Sequence, residues 1–126
     1  MSRPVVMRLT WAGFDAAVDV MSALCPSGVD VVCGVDRGGM VLAWALSERL
    51  DIEYSLRPVS GALLVYGLVT SRPRSRCADP VLLAWVDASP EQAVQSVCKA
   101  TAGTRVLMPW QDAVASPRPF VPGFDD

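Results

Sequence analysis

Residues 29–44 constrain this chain more than any other stretch. They read Val29-Asp30-Val31-Val32-Cys33-Gly34-Val35, then Asp36-Arg37-Gly38-Gly39, then Met40-Val41-Leu42-Ala43-Trp44. The first run is short, apolar and β-branched, the pattern of a strand covered on both faces as in a parallel sheet. Gly38-Gly39 supplies backbone freedom where the chain must reverse. The almost wholly apolar residues 40–46 predict a buried helix behind it. A helix start presents unpaired N–H groups and the positive end of the dipole, and Arg37 adds a forked cation. Arg37, Gly38 and Gly39 are therefore a candidate anion-binding turn. Close packing of a helix on a strand asks for the same glycines, so the motif alone is weak.

Composition narrows the chemistry. The chain has no histidine, which excludes Ser-His and Cys-His nucleophiles, a histidine general base and the common zinc sites. Cys25, Cys33, Cys77 and Cys98 are scattered, with no C-x-x-C pair, the pattern of reduced, buried thiols in a cytoplasmic protein. A net charge of -2 argues against a general nucleic-acid binder. No apolar run is long enough to span a bilayer, so a soluble cytoplasmic protein without membrane partners is expected. The 126 residues suit one domain over 1–126. With 52% hydrophobic and 19% charged residues, apolar surface is left over once a core is filled, and a homo-oligomer is expected to bury it.

The remaining elements follow in order. Trp11, Phe14, Val18, Met21 and Cys25 recur at helical spacing behind the capping candidate Thr10. Residues 52–59 read as a strand after the buried helix, and helix–strand alternation suggests a parallel sheet with crossover helices. Residues 61–69 are extended and lead into Arg72, Arg74 and Arg76, which predicts a flap or hairpin over about 60–80. Residues 81–87 are a core strand. Ser89, Pro90 and Gln92 then predict a capped helix whose face carries Val94, Val97, Cys98 and Thr101. Residues 105–108 predict a last core strand, and Pro109, Pro117, Pro119 and Pro122 an irregular segment over 109–126.

This order resembles the type I phosphoribosyltransferases, α/β proteins with a Rossmann-like, mostly parallel sheet flanked by helices and a small hood or flap. Among them it is most similar to the bacterial xanthine-guanine enzymes. The likeness rests on Leu9-Thr10-Trp11, on Val35-Asp36-Arg37-Gly38-Gly39-Met40-Val41, on residues 45–52, on Pro109-Trp110, and on Phe120-Val121-Pro122. It implies that Asp36, Arg37, Gly38 and Gly39 hold the pyrophosphate of phosphoribosyl pyrophosphate (PRPP). It also implies that Trp110 covers a purine ring, although a tryptophan beside proline also serves as a packed anchor.

The family's paired carboxylates and phosphate-gripping loop have no counterpart in this sequence. The preferred alignment puts them at Asp87, Ala88, Ser89, Pro90 and Glu91, leaving Asp87 as the sole catalytic candidate. Pro90 removes a donor there and Glu91 repels phosphate. A competing alignment uses residues 63–72 and also lacks both acids.

Three functions remain open. The first is a phosphoribosyltransferase-fold protein with lost or weak activity, binding a nucleotide or phosphate ligand, or a protein partner. The second is an active purine-salvage transferase using Mg2+ held largely by its substrate, no protein metal site being expected. The third is an RNA-binding regulator with Arg72, Arg74 and Arg76 as contacts.

Overall fold

The computed structural model describes residues 5–73, 81–92 and 94–111. The first helix, α1 (Trp11–Leu24), starts where Thr10 Oγ1 accepts the Gly13 N–H at 2.9 Å, and it buries Phe14, Ala17, Val18 and Met21. The chain then enters β2 (Val31–Gly34), preceded by the short β1 (Val6–Arg8), and continues into α2 (Arg37–Leu50). Asp51, in the left-handed region at φ 53°, ends that helix.

Helix α2 begins at Arg37, so Gly38 and Gly39 lie in its first turn rather than in a reversing loop, and neither has a positive φ. Their lack of a side chain serves close approach instead. A Cβ on Gly39 would stand 2.0 Å from the Val65 carbonyl oxygen, and one on Gly38 would stand 3.0 Å from the Gly67 Cα.

Four further strands complete the main sheet: β3 (Glu53–Ser55), β4 (Leu63–Val69), β5 (Val81–Asp87) and β6 (Gln95–Lys99). The order is β3-β2-β4-β5-β6, and every pairing is parallel. A last strand, β7 (Arg105–Leu107), pairs parallel with β1 in a separate two-stranded sheet. It was expected in the core sheet, yet Leu107 and Met108 are still buried.

Helices α1 and α2 pack on each other and on Val32, Leu63, Val65, Leu83 and Trp85. Trp85 meets Phe14 edge-on, with ring centroids 5.8 Å apart. Because strand side chains alternate, Cys33, Ala62 and Leu64 form a smaller cluster on the opposite face.

Two further expectations are corrected. Residues 63–69 are not half of a hairpin. They form a central strand with parallel partners on both sides, because the run Leu-Leu-Val-Tyr-Gly-Leu-Val is apolar on both faces. Arg74, Arg76 and Cys77 lie outside the described residues, as do residues 112–126 of the expected irregular segment. The helix expected after Ser89 does not form either. Asp87 captures the Ser89 hydroxyl and the Ser89 and Val94 N–H groups, Gln92 turns the chain at φ 51°, and residues 95–99 join the sheet as β6.

Candidate functional site

From β2 the chain goes out to β3 on one side and returns to β4 on the other. The crevice at the C-terminal ends of β2 and β4 is thus the topological switch point, the place where open α/β sheets receive ligands. A cleft of about 880 Å³ lies there, lined by Val35, Asp36, Tyr66, Leu68, Val69, Thr70, Ser71, Arg72, Pro73 and Glu91.

Asp36 is the hub of this cleft. Its Oδ1 accepts the N–H of Gly39 at 2.6 Å and that of Gly67 at 2.7 Å, and its Oδ2 accepts the N–H of Leu68 at 3.1 Å. One carboxylate therefore caps α2 and ties it to β4. It also sets a negative charge at the helix end where an anion would otherwise sit. Tyr66 stands nearby. Burial raises its phenol above the ordinary 10.0, and the charges of Asp36 and Cys33 push the same way.

The expected site residues separate in space. Asp36 and Glu91 line the cleft, whereas Gly38 and Gly39 are buried in the contact with β4 and Arg37 is exposed on the first turn of α2. Trp110 does not line the cleft. Its ring lies 6.0 Å from that of Trp11 at a tilt of 48°, an anchor between the turn after β7 and α1.

Asp87 is fully buried, with its carboxylate accepting from Ser89 N at 2.9 Å, Ser89 Oγ at 2.5 Å and Val94 N at 3.0 Å. Burial raises its pKa, but the bonds from Ser89 and Val94 together with the Lys99 charge outweigh this and hold it below the ordinary 3.8. Its chemistry is that of a loop clasp. Ala88 is buried beside it, and Ser89 and Pro90 open onto a separate depression of about 450 Å³ with Gln92, Lys99 and Thr101.

Among the described residues no three Cys, Asp or Glu side chains gather as a metal-holding group. Among the described residues that line the cleft, the carboxylates are Asp36, committed to three N–H donors, and Glu91, a pair that does not fit a protein-held magnesium ion.

Tyr66, Thr70 and Ser71 fall in the competing alignment over residues 63–72. The sheet order puts them at the crevice, since β4 is the strand that pairs with β2 and its C-terminal end lines the cleft.

No protein-family model matches the chain, and no curated protein matches it. A solved structure does: a purine phosphoribosyltransferase from Pyrococcus horikoshii is similar to it, with 17% sequence identity, a TM-score of 0.61, and coverage of 92% of this chain and 97% of that one. The likeness shows that the chain has a phosphoribosyltransferase-like fold. Among the described residues no helix is long and apolar enough to cross a membrane.

Proposed function

We propose that this chain is a cytoplasmic relative of the purine phosphoribosyltransferases that has lost most or all transferase activity and binds a phosphate-bearing ligand such as a nucleotide in the β2/β4 cleft. The supporting observation is the ends of the two candidate strands. Strand β4 runs out through Tyr66-Gly67-Leu68-Val69-Thr70-Ser71-Arg72 with no acid, and β5 offers only Asp87, which is buried and fully engaged. Neither end offers two adjacent carboxylates to position a ribose. Positioning of this kind is worth about 7–11 kcal/mol of a barrier, so its loss leaves little catalysis.

Charge selects the ligand. Among the described residues Asp36, Glu91 and Arg72 line the cleft, so PRPP with its several phosphate groups meets two carboxylates for one guanidinium from these residues. A ligand with a single phosphate group, held by Arg72 and the Thr70 and Ser71 hydroxyls, suits this lining better.

Calorimetric titration with guanosine monophosphate and with PRPP, each with and without magnesium, tests the proposal beside an assay of PRPP-dependent nucleotide formation from guanine and xanthine. The expected result is monophosphate binding that is lost in Arg72→Ala, with no nucleotide formed. Base-dependent consumption of PRPP would overturn the reading in favour of an active transferase.

A further inference from the structure

The two carboxylates that line the β2/β4 cleft among the described residues differ in what they touch. Asp36 is taken up by three backbone N–H groups. Glu91 is exposed, and among the described residues it has neither an ion-pair nor a hydrogen-bond partner. Its place is nevertheless fixed by the loop that carries it. The Ala88 N–H donates to the Val69 carbonyl oxygen at 2.8 Å and ties the start of that loop to the end of β4. On either side of Glu91, the fully buried Ser89 is held by Asp87, and Gln92 is kept in the left-handed region at φ 51°. Gln92 donates to the Ser89 carbonyl oxygen twice, from its backbone N–H at 3.2 Å and from Nε2 at 3.0 Å. A residue other than glycine holds that conformation only where its surroundings impose it.

We propose, on the basis of the nucleotide reading of this cleft, that Glu91 accepts N–H groups from an exocyclic amine on the base of a nucleoside monophosphate. The cleft then takes amino-bearing nucleotides in preference to their oxo counterparts. An ionised carboxylate is an acceptor and nothing else. It pairs with the amine of cytosine or adenine and repels the carbonyl oxygen that stands in its place in uracil or hypoxanthine. Arg72, from the end of β4, supplies the opposite charge for the phosphate, and it forms no ion pair with Glu91. Val35, Tyr66 and Leu68 give the same cleft apolar surface for the ring, and its volume of about 880 Å³ is ample for a ligand of this size.

The test is calorimetric titration of the intact chain with two pairs of nucleotides, cytidine against uridine monophosphate and adenosine against inosine monophosphate. In each pair the amino nucleotide is expected to bind about tenfold more tightly or better. Glu91→Gln can turn either its oxygen or its NH2 group to the base, so it should bring both ratios close to one, with an unchanged circular dichroism spectrum. Two results would overturn the proposal and leave the nucleotide reading intact: equal affinities within each pair in the wild type, or a uniform gain in Glu91→Gln with the ratios kept. The uniform gain would show that Glu91 only repels phosphate. Absence of binding for all four nucleotides would overturn the nucleotide reading and the proposal together.

Discussion

The carboxylate of Asp36 accepts the backbone N–H of Gly67 at 2.7 Å, joining the first turn of α2 to the middle of β4 across 31 residues of sequence. The same oxygen caps the helix. Removing it in Asp36→Ala leaves the N–H groups of Gly39, Gly67 and Leu68 without their acceptor, at an expected cost of about 2–4 kcal/mol in urea denaturation. Asp36→Ser keeps a capping oxygen but removes the negative charge. Calorimetry should show that variant binding inorganic pyrophosphate more tightly than the wild type, and unchanged affinity would mean that the carboxylate does not guard the helix end.

Glycine is required where α2 touches β4. In Gly39→Ala the new methyl would sit 2.0 Å from the Val65 carbonyl oxygen, so the helix must lift from the strand. The loss should be at least about 3 kcal/mol, beyond the usual range of overpacking. Gly67→Ala meets the Gly38 Cα at 2.8 Å and should cost about 1–3 kcal/mol. Thermal unfolding of the two variants should rank them in that order.

Asp87 makes stability depend on acid. Its folded-state pKa lies below the ordinary 3.8, so the unfolded chain binds the proton more readily. The stabilisation it contributes is full above that ordinary value and is lost as pH falls through the lower, folded value. Asp87→Ala should lower stability at neutral pH by about 3 kcal/mol, or about 10 °C in Tm, and flatten the decline of stability below pH ~4. A variant whose acid profile still tracked that of the wild type would show that another carboxylate is responsible.

Tyr66 can be followed directly. The chain has two tyrosines, so in a Tyr54→Phe background the phenolate absorbance near 295 nm reports Tyr66 alone. Its midpoint should lie above 10.0 and fall when Asp36→Asn removes one of the charges that raise it. An unmoved midpoint would mean that the Asp36 charge is not among the causes.

Much of this was legible in the sequence because it is local. The cap at Thr10, the helix after Asp36 and the strand over 81–87 follow from side-chain spacing and short-range hydrogen bonds, and the structure has all three. Residues 95–99 were not legible. Ser89, Pro90 and Gln92 carry the chemistry of a helix start, but Asp87 holds the Ser89 hydroxyl and tertiary pairing with β5 overrides local preference. The cleft was half legible. Asp36 stood out as the neighbour of Arg37, but its grip on Gly67 depends on which strand lies beside β2, and spacing along the chain carries no record of that order.

The pairing of Val6 with Arg105 has a consequence for synthesis. During translation β1 emerges before the helices and the main sheet, while β7 is still to be made. The α1–α2 layer and the five-stranded sheet can assemble in the meantime, but the exposed Val5 and Val6 must wait for a late partner. Closure of so long a loop is slow, and the interval leaves an unpaired strand edge within reach of neighbouring nascent chains. A ribosome-bound intermediate halted before β7 should therefore expose its N-terminal edge to proteases and chaperones, with its main sheet already formed.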